Sequence, residues 1–111
     1  MNRLAITLAA AAALGLASAA SAKGNAESGK AKAAQLCAAC HGADGAKPSA
    51  PDQPILAGQY YDYLVQVLGD YKSGNRSNAI MKGFAAALSK KDIEDLAAWF
   101  ASQKSALHFQ R

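Results

Sequence analysis

The segment Cys37-Ala38-Ala39-Cys40-His41 contains the only two cysteines of the 111-residue chain. Cys-x-x-Cys-His is the spacing at which c-type haem is attached. On one turn of helix, residues i and i+3 lie on the same face, so two thiols can bond to one edge of a porphyrin. The adjacent His41 then projects over the haem plane, where an imidazole nitrogen can ligate the iron. The pattern predicts one covalent haem c, anchored by Cys37 and Cys40, with His41 as an axial ligand.

Three other uses of these residues compete with haem attachment. Cys37 and Cys40 could form a disulfide, the default for thiols in an oxidising compartment, but His41 would then have no explained role. A thioredoxin-like redox pair goes with a β-α-β pattern, which is not visible in this sequence. A zinc site with His41 and His108 would need two adjacent residues, Cys40 and His41, to share one tetrahedral metal. Haem attachment is the interpretation that the residues favour.

The second imidazole nitrogen of a metal-ligating histidine is normally held by a hydrogen bond to a carbonyl or carboxylate. Residues 42–59 contain three glycines and all three prolines of the chain, which predicts a long irregular loop. Loops of this length are uncommon and are usually functional. A carbonyl of the segment 48–54 is the predicted partner of His41.

Met81 is the candidate for the sixth iron ligand. It is the only methionine beyond residue 22, and it follows His41 by 40 residues. Methionine is ordinarily a core side chain, but ligation by methionine and histidine is the choice of electron-transfer haems and raises the potential of the iron. The rival ligand is His108, which is the fourth residue from the end and is interpreted as a surface or tail histidine.

The first 22 residues have the three parts of a secretory signal peptide. A positive start at Met1-Asn2-Arg3 precedes an apolar run over 4–20, and Ala20-Ser21-Ala22 resembles a cleavage site. A membrane anchor is the competing interpretation, but the run is short for the roughly 20 residues that span a bilayer. We therefore expect a signal peptide at 1–22, one domain at 23–111, a periplasmic location and no stable membrane insertion after cleavage.

Removal of these 22 residues leaves 89, which is enough for one domain. One of the 12 basic residues and none of the 8 acidic ones would be lost, so the net charge becomes +3. Nucleic-acid binders carry clustered Lys and Arg with interleaved aromatics, and these lysines are scattered, so no nucleic-acid partner is expected. Large apolar residues are thinly spread and alanine is common, which indicates a core with room for a cofactor.

Every predicted element is a helix, because no segment alternates with a period of two over a useful length. The predicted helices cover about 25–37, 59–72 and 82–87, followed by a last helix that Ser89 caps with Asp92 three residues on. Buried stripes at i, i+3, i+4 and i+7 are predicted at Tyr61, Leu64, Val65 and Leu68, and at Ile93, Leu96, Ala97 and Phe100. Gly29 weakens the first helix, so another helix is expected to pack closely there.

Beyond the haem motif, the chain resembles the class I c-type cytochromes, in particular one half of the tandem di-haem kind. The resemblance covers essentially all of 23–111, and its segments are Pro54–Gln59, Tyr71–Arg76, Met81 ahead of Ala85–Ser89, and Asp92–Phe100. The family often has Tyr where this chain has Trp99. The motif occurs once, so we expect one haem rather than the tandem form.

The resemblance implies a small all-α cytochrome c fold in which the first and last helices cross and the haem lies in the core. It implies that His41 and Met81 are axial ligands, that Cys37 and Cys40 form thioethers, and that Leu56 contacts the haem. Pro54 is implied as the carbonyl partner of His41.

The expected function is transfer of one electron at a time between larger redox partners that dock transiently, without enzymatic activity. Lys47, Lys72 and Lys82 are expected at the rim of the docking surface. The alternatives are a haem enzyme or sensor with an open sixth iron site, a haem-free disulfide or interaction domain, and a fixed haem subunit of a larger complex.

Overall fold

The computed structural model describes residues 23–105, and within this range it contains five helices and no strand. The helices are α1 (Ala26–Leu36), α2 (Ala38–His41), α3 (Tyr61–Ser73), α4 (Ala79–Ala86) and α5 (Lys90–Ser102). The all-α prediction is confirmed. The proposed signal peptide at 1–22 and His108 lie outside the described residues.

The first and last long helices pack directly against each other at Gly29. A Cβ atom at Gly29 would lie 1.9 Å from the carbonyl oxygen of Asp95 and 2.9 Å from Cβ of Trp99. Only a residue without a side chain permits this approach of the two backbones, so the predicted close contact at Gly29 is confirmed. The contact fixes the position of α1 against α5, and the haem-attachment segment follows directly after α1.

Asp95 connects the start of α1 to the middle of α5. The residue is 4% exposed, and its Oδ1 accepts a 2.7 Å hydrogen bond from the backbone N–H of Asn25. Lys91 pairs with its other carboxylate oxygen. The hydrogen bond from Lys91, followed by that from Asn25, lowers the pKa of Asp95. The ionised carboxylate therefore stabilises the junction between the two helices.

The starts of α1 and α5 are capped by short polar side chains. Asn25 accepts a hydrogen bond from the N–H of Ser28, and Ser89 and Asp92 form a reciprocal capping box at α5. Such side chains satisfy N–H groups that have no partner inside the helix. The cap formed by Ser89 and Asp92 agrees with the sequence prediction.

The prediction for α4 was wrong at its start. We expected an irregular stretch up to Met81 and a helix from about residue 82, whereas α4 begins at Ala79 and places Met81 in its first turn. The cause is Asn78, whose side-chain oxygen accepts hydrogen bonds from the N–H groups of Ile80 and Met81. This cap fixes the backbone that carries Met81.

The core of the described part is small and rich in alanine. The stripe predicted on α5 is buried throughout, whereas on α3 only Leu64 is fully buried and Val65 and Leu68 are partly buried. The buried cluster consists of Ala33, Leu64, Ala85, Leu88, Ile93, Leu96, Ala97 and Phe100. Three of these eight residues are alanine, so the apolar area that they bury is modest.

Gly29→Ala should lower the free energy of unfolding by about 3 kcal/mol, because the added methyl group overlaps backbone atoms that cannot move independently. Gly69→Ala is the matched control: Gly69 lies inside α3 with no atom within 4 Å of a built Cβ. It should stabilise the protein by about 0.5–1 kcal/mol, since Gly is less favourable than Ala in a helix. Denaturant unfolding of both variants provides the measurement. Equal effects at the two positions would contradict the close packing of α1 on α5.

Asp95→Asn should cost about 1–2 kcal/mol at pH 7, because a charge-assisted hydrogen bond is lost. The pKa of Asp95 is lowered in the fold, so its contribution is present above the unfolded pKa of about 3.9 and disappears as pH falls through the folded value. The deficit of the variant should therefore shrink below about pH 4. Unfolding should be followed from pH 7 to pH 3 beside the exposed control Asp52→Asn, and a deficit that is independent of pH would contradict this role.

Candidate functional site

The two cysteines and the histidine lie on one continuous helical turn. Cys37 ends α1, its N–H donating to Ala33, and its carbonyl then accepts hydrogen bonds from the N–H groups of Cys40 at 3.2 Å and His41 at 3.0 Å. Both cysteines are half-buried, and they form no disulfide with each other. The turn places the thiols on one face, as the haem-attachment pattern requires.

Burial changes the chemistry of the first thiol. Desolvation, with a smaller contribution from repulsion by Cys40, raises the pKa of Cys37 to about 11. Until haem is attached, this thiol is therefore protonated at neutral pH.

His41 is held by the loop that follows it. The ring is 6% exposed, and its Nδ1 donates to the carbonyl oxygen of Pro54 across 2.9 Å. This is the hydrogen bond that was predicted for the segment 48–54. With Nδ1 as the donor, Nε2 carries the lone pair, and it has no hydrogen-bond partner within residues 23–105. The donor set of two thiols and one such imidazole fits a c-type haem.

Gly45 and Phe100 hold the loop in place. The carbonyl of Gly45 accepts from the N–H groups of Leu56 at 2.8 Å and Ala57 at 3.2 Å, and Gly58 donates to the carbonyl of Phe100 at 2.9 Å. The backbone of Gly45 has φ +78°, and a Cβ there would lie 2.8 Å from the Phe100 ring. The hydrogen bonds made by the residues that follow Pro54 therefore fix its position.

Two further contacts attach the loop to its surroundings. Ser49 donates its N–H to the carbonyl of Cys40 at 2.9 Å, and Trp99 donates Nε1–H to the carbonyl of Ala43 at 3.2 Å. Sequence reasoning missed the second contact, because it connects residues 56 positions apart. The Trp99 indole can make this bond through its ring N–H, which is a donor only.

The remaining candidates lie on separate elements. Leu56 is partly buried and packs against the core cluster. Met81 is half-buried on α4, which packs against α3, whereas His41 lies on α2, which packs against α1. The two candidate axial ligands are thus carried by different helix pairs.

A zinc site receives no support from the described part of the chain. Between residues 23 and 105, no group of three or more His, Cys, Asp and Glu side chains is placed to hold a metal ion. The suggested fourth ligand, His108, lies outside this range.

Comparison with known proteins gives a consistent assignment. The family model described as cytochrome c matches residues 26–104. Cytochrome c4 of Pseudomonas aeruginosa is 48% identical over 107 residues, covering 96% of this chain and 51% of that protein. A thiosulfate dehydrogenase electron acceptor of Stutzerimonas stutzeri is 47% identical over 66 residues, covering 60% of this chain and 31% of that protein.

The structure comparison agrees with the sequence comparison. The crystal structure of reduced recombinant cytochrome c4 from Pseudomonas stutzeri is similar with a TM-score of 0.67 and 43% identity. The match covers 73% of this chain and 46% of the other. The chain therefore spans about half the length of the cytochrome c4 proteins that it matches.

Gly45→Ala should weaken the hydrogen bonds that hold the segment around Pro54 in place. Backbone strain at a positive φ costs about 1–2 kcal/mol, and overlap with Phe100 and Leu56 should add about 1–3 kcal/mol. Gly74→Ala is the matched control, because Gly74 also has a positive φ but its nearest atom, Lys82 Nζ, lies 3.6 Å away. Hydrogen exchange of the Leu56 and Ala57 amides should accelerate only in Gly45→Ala. The same exchange rates in both variants would contradict the role of Gly45.

Proposed function

The chain belongs to the cytochrome c family, and on this premise we propose that it is an electron-transfer protein with one covalent haem c and His/Met axial ligation. Its haem-attachment residues are those of the family, and the haem is its single covalent cofactor. Bound haem supplies one-electron redox chemistry, while the protein supplies burial, orientation and adjustment of the potential. Transfer of single electrons between larger redox proteins is the proposed activity.

The observation that carries the proposal is the pairing of His41 with the Pro54 carbonyl. This hydrogen bond makes Nδ1 the protonated nitrogen and leaves Nε2 available to iron, while Cys37 and Cys40 lie on the same turn. Such an outer partner fixes the tautomer and ring orientation and raises the basicity of the ligand. A histidine held in this way is suited to remain bound to the iron while the protein is oxidised and reduced.

Met81 is proposed as the second axial ligand. It lies in the first turn of α4, and Asn78 holds the backbone of this turn through its two hydrogen bonds. A thioether ligand opposite an imidazole is typical of electron-transfer haems. With both axial positions filled by side chains of the protein, substrate has no access to iron, so we propose a carrier rather than an enzyme.

The proposed location is the periplasm, after cleavage of residues 1–22. The support comes from the three-part leader and from the expectation that the domain begins at Lys23. None of the helices between residues 23 and 105 has the length and apolar character needed to cross a bilayer.

The proposed partners are larger redox proteins that dock briefly. One relative is named an electron acceptor of thiosulfate dehydrogenase, which supports an exchange of electrons with other proteins. Transient redox complexes have small interfaces, below about 1,200 Å². We therefore expect a partner to contact only a small part of the surface of the chain.

Met81→Ala should remove the weak far-red band that an iron–sulfur bond adds to the spectrum of the oxidised protein. It should also lower the reduction potential, because the thioether favours ferrous iron, and it should open the iron to carbon monoxide. The measurement is the visible spectrum of the oxidised and reduced protein, with and without carbon monoxide.

Ile80→Ala is the neighbouring control, since Ile80 is 69% exposed on the same turn of α4. It should leave the far-red band and the resistance to carbon monoxide unchanged. If the wild-type protein lacks the far-red band and binds carbon monoxide, the iron has an open site and the carrier proposal fails in favour of a haem enzyme or sensor.

A further inference from the structure

The residues that precede Pro54 form a turn that one side-chain oxygen holds together. Oε1 of Gln53 accepts hydrogen bonds from the N–H of Ser49 at 3.1 Å, from the hydroxyl of Ser49 at 2.9 Å and from the N–H of Ala50 at 3.0 Å. The N–H of Gln53 donates to the carbonyl of Ala50 at 3.2 Å. We refer to residues 49–53, joined in this way, as the Gln53 turn.

The Gln53 turn is attached to the haem-attachment segment at both of its ends. Ser49, its first residue, donates its N–H to the carbonyl of Cys40 at 2.9 Å as well as to Gln53. Pro54, directly after its last residue, accepts the 2.9 Å hydrogen bond from Nδ1 of His41. Because Cys40 and His41 are consecutive, these two attachments close a ring of contacts that includes the turn. The position of the Pro54 carbonyl relative to His41 therefore also depends on the shape of the turn.

The side chain of Gln53 is the group that fixes this shape. Three donors share its amide oxygen, so a rotation of the half-buried side chain would break all three hydrogen bonds together. The backbone offers little replacement, because Pro51 inside the turn has no N–H to donate. A residue without an acceptor at position 53 would leave the turn with far fewer internal bonds.

The hydrogen bond from His41 to Pro54 acts on the iron as well as on the ring orientation. An outer acceptor raises the basicity of a ligating imidazole, and a more basic ligand stabilises ferric relative to ferrous iron. Hydrogen bonding around the ligands is one of the means by which a protein sets the potential of a haem. A turn that keeps the Pro54 carbonyl within reach of Nδ1 therefore contributes to the potential.

We propose that Gln53 is a positioning residue for His41. Its side-chain oxygen holds the Gln53 turn in the shape that presents the Pro54 carbonyl to Nδ1, and it thereby lowers the reduction potential of the haem. Gln53 acts through Ser49 and Pro54 rather than as a ligand. This inference rests on the proposed ligation of iron by His41, and it adds the residue that maintains the hydrogen bond of that ligand.

The main test is Gln53→Leu in the haem-loaded protein, because leucine has a similar size but no acceptor for Ser49 and Ala50. NMR of the reduced protein should show exchange of the His41 Nδ1–H accelerated about fivefold, the factor to which one typical hydrogen bond corresponds. The redox equilibrium should shift about threefold toward the ferrous form, which raises the potential by roughly 30 mV at 59 mV per tenfold for one electron.

Two further variants separate the hydrogen bonds from other effects of substitution. Gln53→Glu keeps an oxygen that can accept the same three bonds, so the His41 Nδ1–H should exchange as in wild type. Its added charge itself changes the potential, so only exchange is compared for this variant. Gln66→Leu is the matched control, because Gln66 is exposed on α3 and donates to Asp70 of the same helix. It should change neither the exchange nor the potential.

Three results would overturn the proposal. If Gln53→Leu accelerates exchange of the Ser49 and Ala50 amides but leaves the His41 Nδ1–H and the potential unchanged, Gln53 supports the turn alone. If Gln66→Leu has the same effects, they reflect a general loss of stability. If Gln53→Glu exchanges as fast as Gln53→Leu, the side-chain oxygen is not responsible.

Failure of the proposed function is recognised separately, from the wild-type protein. A wild-type protein without haem bands, or with iron bound by a residue other than His41, would refute the proposed function and with it this inference. The far-red band should be present in wild type and in all three variants, which shows that a change of potential does not come from loss of Met81.

Discussion

The contact between α1 and α5 at Gly29 is the constraint on which the rest of the structure depends. It brings the two backbones together at Asp95 and thereby fixes how α1 lies against α5. Cys37 follows the last residue of α1 and opens the turn that carries Cys40 and His41. From α5, Trp99 and Phe100 hold the loop that returns Pro54 to His41. One close helix contact thus positions both the histidine and the carbonyl that orients it.

Much of this was predictable, because the responsible signals are local or stereochemical. The thiol spacing predicts the turn of α2, Ser89 with Asp92 predicts the start of α5, and Gly29 predicts a close neighbour. The start of α4 was not predictable in the same way. Asn78 lies in a polar stretch that looks irregular, and its effect as a cap is visible only from its hydrogen bonds to the first turn.

Long-range polar contacts were also not predicted from the sequence. The bond from Trp99 to Ala43 and the bond from Arg76 to Tyr71 depend on how helices and loops are arranged in space. The resemblance to a family drew attention to the segment 71–76 without giving it a role.

The central claim is that Cys37, Cys40 and His41 hold one haem that completes this fold. Its most direct test is the intact mass of the exported protein, measured after denaturation, together with the spectrum of its haem in alkaline pyridine. The account predicts the mass of residues 23–111 plus one haem that denaturation does not release, and a pyridine spectrum typical of haem bound by two thioethers. A folded, colourless protein with the mass of the polypeptide alone would contradict it.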